Sequence, residues 1–336
     1  MEKQSLIKDL STFYGDDIQS FEWIKEGLQN IVIKCRHQSE MVFLRLMKEE
    51  RRSLAMIKAE LEWLTHLSNS GILVPLPKNS HSGKTIEEIT INENVFYTVA
   101  YSQVVGEPID VTNPTLWNEK LFYQWGITLG SIHATPMNRE VERPFYTDAK
   151  TSYYKTVQFL KDYEDENIRS SLKDIIQEIN TVSHTEPSFG LIHNDFHQGN
   201  LIVHNGIIGV IDFDDCVYGW FAQDIAVTLY HAFWQATEIG DYDSSFGETF
   251  LESFLEGYLQ KHKITAEMIE QIPLFLRWRQ FFLLALFLKN WPLHQLEDWQ
   301  AYTLDKLKSR IITGDCYVPL TKKYLKELKQ RFATSK

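Results

Sequence analysis

The chain has 336 residues, of which 43% are hydrophobic and 24% are charged. This length and composition allow a large buried core, favour two lobes over one and exclude an intrinsically disordered chain. With 45 acidic against 34 basic residues the formal charge is −11, which disfavours a nucleic-acid-binding protein and suits cationic small molecules.

The N-terminus and the cysteines indicate a cytoplasmic protein. The opening stretch MEKQSLIKDLSTFYG lacks the apolar run and cleavage site of a secretory signal. The three cysteines lie far apart without zinc-ligand spacing, which is typical of reduced thiols in a cytosol. The most apolar run, 281–288, is too short to span a bilayer and is flanked by Arg277, Arg279 and Lys289. We therefore expect no membrane partner, while the oligomeric state stays open.

The first third of the chain predicts an antiparallel sheet interrupted by one helix. Residues 31–34, 41–47 and 95–101 are short runs rich in β-branched and aromatic residues between polar ones. The helix is predicted to begin after Ser53, a good N-cap residue. Its core-facing stripe has helical spacing and consists of Leu54, Ile57, Leu61, Leu64 and Leu67.

The rest of the chain reads as mainly helical, and strand patterns recur only within 191–213. The predicted helical segments are 115–133, 151–184, 222–238, 245–262 and 273–290. This distribution predicts an α+β protein with a β-rich N-terminal lobe at 1–101, a hinge at 102–107 and a helical C-terminal lobe at 108–336.

Within 191–215 the sequence LIHNDFHQGNLIVHNGIIGVIDFDD combines apolar strands with many polar residues. Asn205-Gly206 between two apolar runs predicts a two-residue hairpin turn. Counting back from that turn brings Asn200 and Asp212 together at the open end. An amide oxygen and a carboxylate suit a hard cation such as Mg²⁺. Asp195 lies in the loop that enters the same end.

The spacing His193-x-Asp195-x4-Asn200, followed by Asp212 after a strand, is the layout of a kinase catalytic loop and its metal-binding aspartate. The motifs HNDFHQGN, IDFDD and GWFAQDIA resemble the aminoglycoside phosphotransferase and choline kinase-like family, which has a two-lobed protein-kinase-like fold. This resemblance implies that Asp195 is the catalytic base and that Asn200 and Asp212 bind Mg²⁺. It also implies that Asp224 braces the catalytic loop, and we expect His193 to order that loop as well.

The resemblance extends to the first lobe. Residues 43–46, FLRL, resemble the third strand, where the family places a lysine or an arginine on the ATP phosphates. Arg45 then takes that position, and Glu60 corresponds to the helix glutamate that pairs with the cation. Lys34 is the alternative cation, and an ordinary surface arginine and glutamate are the alternative to the whole pair.

Two further segments are implied to contact the nucleotide. Gly27-Leu28-Gln29-Asn30 occupies the position of the phosphate-covering loop, so Gly27 and Asn30 are candidate phosphate contacts. The backbone of the hinge residues Ser102, Gln103 and Val104 is expected to meet the adenine.

Four more residues are candidates for contacts with the acceptor: His197, Asp214, Asp215 and Trp234. Each has a plainer alternative. His197 is equally compatible with a packed, hydrogen-bonded histidine. The two aspartates are compatible with solvated or supporting roles, and Trp234 with a place in the core.

Together these patterns predict an Mg²⁺-dependent phosphotransferase that moves the γ-phosphate of ATP, or of GTP, to a hydroxyl of an aminoglycoside, amino-alcohol or sugar-like molecule. Only 11 residues lie between Asp212 and Asp224, which is too short for a long peptide-docking activation segment. A serine/threonine protein kinase of the family's stress-kinase branch stays open, as does a catalytically silent nucleotide-binding protein. A metal-dependent hydrolase with His193, Asp195 and His197 as ligands is a third alternative.

Overall fold

The computed structural model describes residues 3–15, 21–26, 31–91, 93–136, 148–184 and 186–334. The chain forms two compact units. Unit 1 comprises Met1–Gly106 and Gly209–Ile211, and unit 2 comprises Glu107–Ile208 and Asp212–Lys336.

Unit 1 is built on an antiparallel sheet. Its elements are α1 (Lys3–Tyr14), β1 (Glu22–Glu26), β2 (Ile31–His37), β3 (Glu40–Lys48), α2 (Leu54–Asn69), β4 (Pro77–Lys78), β5 (Glu87–Ile91) and β6 (Asn94–Ser102). The strand order is β1-β2-β3-β6-β4, and β5 pairs with β6. The predicted strands and the start of α2 are confirmed, and the Ser53 side chain accepts a hydrogen bond from the Met56 amide at its N-terminus.

Helix α1 was not among the predicted elements; it precedes the strands, whereas α2 is the predicted helix that interrupts them. Leu6, Leu10 and Tyr14 recur at four-residue spacing, are almost fully buried and join the core of the sheet. The hydroxyl of Tyr14 donates to the carbonyl of Thr98 at 3.1 Å. These apolar residues form a narrow stripe in an otherwise polar segment, so the helix is stabilised by tertiary packing more than by its own composition.

Unit 2 is mainly helical. Its helices are α3 (Glu119–Ala134), α4 (Ala149–Leu160), α5 (Glu166–Asn180), α6 (Phe221–Glu238), α7 (Phe246–Tyr258), α8 (Ala266–Asn290), α9 (Asp298–Thr313) and α10 (Lys322–Phe332). The short strands are β7 (Glu107–Pro108), β8 (Phe189–Ile192), β9 (Leu201–His204), β10 (Ile207–Val210) and β11 (Val217–Trp220); the last two residues of β10 belong to unit 1. β7, β9 and β10 belong to one small sheet, and β8 pairs antiparallel with β11.

One prediction for unit 2 is refined and one needs correction. The segment 151–184 is mostly helical, as predicted, but it is divided into two helices, because Asp165 caps a new helix by accepting hydrogen bonds from the amides of Asn167 and Ile168. Strands also occur outside 191–213, at β7 and β11. Both are very short and lack the alternating pattern on which a sequence-based assignment depends.

Close backbone contacts hold the helices of unit 2 together. A Cβ on Gly126 of α3 would lie 1.9 Å from the carbonyl oxygen of Phe254, and one on Gly257 of α7 would lie 1.9 Å from that of Tyr123. Any side chain larger than hydrogen at either position would therefore push α3 and α7 apart.

Helix α8 is longer than the apolar run within it. Among the described residues it is the one helix long and apolar enough to cross a membrane, but 61% of that apolar stretch is buried inside the protein. Buried Arg279 and Gln280 lie in its middle. Its packing is that of a core helix, and it presents Arg279 to the candidate site.

Candidate active site

The loop after β8 is fixed by one buried carboxylate near the start of α6. Asp224 is fully buried; its Oδ2 accepts from the His193 amide at 2.8 Å and its Oδ1 from the Asn194 amide at 2.6 Å. Asn194 has a φ of 68°, a conformation that asparagine tolerates better than most residues. In a tight loop these two amides have no backbone carbonyl to donate to, and the Asp224 carboxylate accepts their hydrogen bonds instead.

A buried histidine completes this anchor. Nε2 of His133 lies 3.1 Å from Oδ2 of Asp224, and its Nδ1 lies 2.7 Å from the Tyr258 hydroxyl. Burial lowers the pKa of His133 although Asp224 raises it. A neutral His133 that donates from Nε2 and accepts at Nδ1 satisfies both contacts.

Further contacts hold the loop along its length. The Gln223 amide donates to Oδ1 of Asn194 at 2.5 Å, and the Thr228 hydroxyl donates to the Phe196 carbonyl at 2.8 Å. The buried ring of His193 packs against Phe196 and Phe213, and its Nδ1 accepts from the Asp195 amide at 3.4 Å. His193 therefore orders the loop, and its ring is kept away from solvent.

Asp195 lies where these contacts leave an accessible carboxylate, with 28% of its side chain exposed. Oδ1 accepts from Nη2 of Arg279 at 2.6 Å, and Oδ2 lies 3.2 Å from Nε2 of His197. Asn200 donates through Nδ2 to the Asp195 carbonyl at 3.0 Å and to Oδ2 at 3.4 Å. The structure thus brings together three of the predicted residues and adds Arg279.

The charge on Asp195 is set by two opposing effects. Desolvation raises its pKa, but Arg279, His197 and His231 outweigh it and hold the pKa well below the usual range. Asp195 is therefore ionised at neutral pH. Such a group is a weak base and a strong hydrogen-bond acceptor.

Arg279 is itself held from behind. Its Nε and Nη2 approach Nε2 of His231 at 3.1 and 2.7 Å, and its guanidinium lies 4.7 Å from the centroid of the Phe282 ring. Burial lowers the pKa of His231 well below its usual value, and Arg279 lowers it further. Neutral His231 thus presents a lone pair to the guanidinium, which fixes the arginine on Asp195.

The hairpin turn predicted from the sequence is confirmed. Between β9 and β10 only Asn205 and Gly206 remain, with φ of 50° and 78°. Positive φ at both central residues is the requirement of a type I′ turn. Asn200 immediately precedes β9 and Asp212 follows β10 after one residue, with a φ of 64° at Asp212.

Three carboxylates follow the hairpin. The pKa of Asp215 is raised to about 6, first by desolvation and then by the negative charges of Asp195, Asp214 and Asp212. Arg279 acts in the opposite direction. The Asp215 side chain is nevertheless exposed to water. Asp195, Asp212 and Asp214 all act electrostatically on Asp215, and a cation near Asp215 would relieve this repulsion.

The donor set fits Mg²⁺ better than a metal held by protein alone. Because Asn200 uses its amide nitrogen on Asp195, its Oδ1 is the atom left to accept or coordinate. No group of three or more His, Cys, Asp or Glu side chains in the described ranges has the arrangement of a metal cage. Mg²⁺ takes one or two protein oxygens together with phosphates and waters. The alternative of a metal-dependent hydrolase needs His197 as a metal ligand. Both ring nitrogens of His197 already have hydrogen-bond partners, Asp195 and the Gly199 amide, so the structure does not favour that alternative.

Unit 1 contains a second buried ionic cluster. Glu60 has 1% of its side chain exposed. Nη2 of Arg45 donates to its Oε1 at 2.5 Å, and Nη2 of Arg52 donates to its Oε2 at 2.7 Å. The Arg45 guanidinium also donates to the Tyr101 hydroxyl at 2.9 Å. Two arginines thus share one carboxylate, and only one of them was predicted.

The remaining nucleotide candidates are placed as follows. Lys34 pairs with Glu22 at 3.7 Å rather than with Glu60. Ser102 ends β6 and exchanges hydrogen bonds with the Leu76 backbone, Gln103 is exposed and Val104 is half-buried. Gly27 and Asn30 lie outside the described residues.

Trp234, the last predicted contact, lies on α6 with 36% of its surface exposed. Its ring is 6.4 Å from that of His231, which in turn stacks on His197 at 4.8 Å. By contrast, Trp278 on α8 is buried in the core, so of these two tryptophans it is Trp234 whose ring is accessible to a ligand.

Comparison with known proteins decides the family. Residues 24–268 match the model of the phosphotransferase enzyme family. The chain belongs to this family. This phosphotransferase is 27% identical to amicoumacin kinase of Bacillus subtilis (strain 168) over 299 aligned residues. The alignment covers 88% of this chain and 86% of that protein.

Solved structures confirm the two-lobed protein-kinase-like fold of the phosphotransferase. Amicoumacin kinase hAmiN in complex with AMP-PNP, Ca²⁺ and Ami superposes with a TM-score of 0.88 at 24% identity, covering 98% of this chain and 97% of that one. A microcompartment-associated aminopropanol kinase gives a TM-score of 0.72 at 19% identity, covering 97% and 98%. A spectinomycin phosphotransferase bound to ADP and spectinomycin gives 0.66 at 16%, covering 93% and 97%. The protein is thus a kinase of small molecules with an alcohol group as acceptor.

Proposed function

We propose that the protein transfers the γ-phosphate of ATP to a hydroxyl group of a small aminoglycoside-, amino-alcohol- or sugar-like molecule in an Mg²⁺-dependent reaction. The observation that carries this proposal is the ionised carboxylate of Asp195, held on a braced loop beside the Asn200 amide. In this proposal residues 1–101 form the nucleotide-binding lobe, 102–107 the hinge, and 108–336 the catalytic and acceptor-binding lobe. The enzyme works in the cytoplasm, where ATP is available.

Asp195 acts mainly by orienting the acceptor. Each carboxylate oxygen has two lone pairs, so a hydroxyl can donate to Asp195 while Arg279 and His197 remain in contact. Because its pKa is low, Asp195 accepts the proton only as the bond to phosphorus forms. This timing suits a loose transition state, in which the hydroxyl needs little activation and alignment supplies most of the rate.

The metal-binding residues in this proposal are Asn200 and Asp212, with Asp214 and Asp215 adding negative charge nearby. When bound, Mg²⁺ joins the phosphate oxygens and neutralises the charge that develops on them. Asn200 is pre-oriented for this role because its amide nitrogen is occupied by Asp195. The same contact ties the position of the metal ligand to that of the base.

In unit 1, Arg45 provides the cation for the nucleotide phosphates. Glu60 holds it at 2.5 Å, and Arg52 binds the other oxygen of the same carboxylate. A guanidinium keeps its charge at all relevant pH values and presents a planar fork that matches phosphate oxygens. Two arginines share this one carboxylate, and their positive charges favour a polyanionic nucleotide.

A turnover screen tests the proposal. The purified protein is incubated with ATP or GTP and with aminoglycosides, amino-alcohols, sugars or serine-containing proteins, in Mg²⁺ or in EDTA. We expect consumption of ATP with a small hydroxylated acceptor, formation of a phosphate monoester detected by ³¹P NMR, and no reaction in EDTA. Transfer only to proteins would contradict the acceptor class. Nucleotide binding without turnover on any acceptor would support the silent nucleotide-binding alternative.

A further inference from the structure

A second concave site lies in unit 2, among helices α6, α8 and α9. It encloses about 80 Å³, which is well below the volume of a pocket that holds a whole drug-sized ligand, so it suits one group of a larger molecule. Five aromatic side chains line it: Tyr230, Trp234, Phe287, Tyr302 and Tyr317. We call it the aromatic pocket.

The aromatic side chains form a floor and two walls. Tyr230 and Tyr317 are 6% and 9% exposed and form the floor. Trp234 and Tyr302 are 36% and 58% exposed and flank the opening. Large rings that remain exposed to water next to a buried aromatic floor are a typical feature of a ligand site, because a flat ligand that stacks between them buries apolar surface on both of its faces.

The charges around the aromatic pocket do not suit a polycation. Its ionisable lining consists of Glu238, Lys306 and Arg310, together with neutral His231. Glu238 already accepts from the Tyr317 hydroxyl at 2.9 Å, and Arg310 lies 4.4 Å from the centroid of the Tyr317 ring. The lining therefore carries one acid against two bases, and a ligand with several ammonium groups would be repelled.

The aromatic pocket is connected to the base by two side chains. His231 lines the pocket, and its Nε2 accepts from Arg279. Arg279 in turn binds Asp195 at 2.6 Å. His231 and Arg279 are themselves buried, but the ring of His231 stacks on His197, which is partly exposed and lies 3.2 Å from Asp195. We infer that a molecule whose hydroxyl meets Asp195 extends over His197 toward Trp234.

We propose that the aromatic pocket binds a flat aromatic ring of the phosphate acceptor, so that the acceptor is an aryl-bearing alcohol and not a polycationic amino sugar. This inference rests on the proposed function. Trp234 and Tyr302 stack on the ring, while the hydroxyl reaches Asp195. In the transfer, the acceptor oxygen forms a bond to the γ-phosphorus, the bond from that phosphorus to the bridging oxygen of the departing ADP breaks, and the hydroxyl proton passes to Asp195.

Two amino-alcohols that differ by one ring provide the test. The dissociation constants of 2-amino-1-phenylpropane-1,3-diol and of 2-aminopropane-1,3-diol are measured by calorimetry on the full chain without nucleotide. Burial of a phenyl ring should make the first compound bind about tenfold more tightly. Equal affinities of the two compounds would overturn the inference.

Variants locate the effect. Trp234→Ala should remove most of the preference for the phenyl compound, and Trp234→Phe should keep most of it. Trp299→Ala is the matched control, because Trp299 is 54% exposed and does not line the pocket. A preference that survives Trp234→Ala, or that is lost equally in Trp299→Ala, would contradict the assignment.

The inference and the proposed function can fail separately. Phosphorylation of an amino sugar, unaffected by Trp234→Ala, would overturn the aromatic-ring acceptor and leave the phosphotransferase in place. Ring binding that depends on Trp234 in a protein that consumes no nucleotide would overturn the proposed function and the assignment of the ring to an acceptor. Faster transfer to the phenyl compound, through a lower KM at similar kcat, would support both.

Discussion

Each unit of the protein has a carboxylate paired with arginine, and the two differ in access. Glu60 in unit 1 is 1% exposed and shared by two guanidinium groups. Asp195 in unit 2 is 28% exposed, and only one of its neighbours is an arginine. The same ion-pair chemistry thus gives a carboxylate closed to solvent at Glu60 and a carboxylate that can still accept a hydrogen bond from a ligand at Asp195. Access to the carboxylate decides which function it can perform.

The surroundings of the two carboxylates differ as well. In the cluster around Glu60, two cations, Arg45 and Arg52, share the carboxylate. In the cluster that contains Asp195, the charges of Asp195, Asp212 and Asp214 raise the pKa of Asp215, while Arg279 lowers it. We expect the first cluster to attract phosphate and the second to attract a metal ion.

The largest expected effect is on catalysis at the open carboxylate. Asp195→Asn removes the proton acceptor but keeps the shape, so kcat should fall by about 1,000-fold while the affinity for ATP changes by less than about twofold. Steady-state kinetics and nucleotide titration measure the two quantities. Full activity in this variant would contradict the assignment of the base.

The closed carboxylate should respond through stability. Glu60→Gln removes the buried carboxylate that two arginines share, which should reduce the free energy of unfolding by about 3 kcal/mol. Urea unfolding measures this change. As a control, Glu22→Gln removes the more exposed partner of Lys34 and should have little effect. A stable Glu60→Gln variant that loses only kcat would remove the contrast between the two sites.

Arg279 tests why Asp195 is ionised. Arg279→Met removes the cation that lowers the pKa of Asp195, and the desolvation that remains raises it. Because Asp195 must be ionised to accept a proton, the acid limb of kcat/KM should move to higher pH. Arg279→Lys keeps the charge and should shift the limb less. Identical pH profiles for Arg279→Met and the wild type would exclude this role.

The smallest effect concerns Asp215 in metal-free protein. Its pKa of about 6 lies above the usual 3.8, so the folded state holds a proton in that interval. The contribution of protonated Asp215 to the stability of the folded state is therefore complete below pH 3.8, and it is lost as the pH rises through 6. Asp215→Asn should raise Tm by about 2 °C at pH 7.5 and leave it nearly unchanged at pH 4. Thermal unfolding in EDTA measures both, and an equal shift at the two pH values would contradict the interpretation.

The sequence predicts local features well because their causes are local. The Asn205-Gly206 turn follows from two residues that tolerate positive φ, and α2 begins at Ser53 because the hydroxyl caps it. The position of Asn200 close to Asp195 follows from their short separation in one loop. The family resemblance adds the roles of these residues, which remain proposals.

Long-range partners are harder to predict. Arg279 is 84 residues from Asp195, and in the sequence it is one of several charges flanking an apolar run. Its signal was a cation within a helix otherwise suited to the core, since such a charge needs a buried partner. His133 and Arg52 carry even weaker signals, because nothing in their local sequence distinguishes them from surface residues.

The central claim is that the metal ligands and the proton acceptor are separate groups in one site. Anomalous diffraction from crystals grown with Mn²⁺ and a non-hydrolysable ATP analogue tests it most directly. We predict Mn²⁺ at about 2.1 Å from Oδ1 of Asn200 and from a carboxylate oxygen of Asp212, with Asp195 outside the coordination sphere. Mn²⁺ bound to Asp195 or His197, without contact to Asn200 and Asp212, would contradict the account.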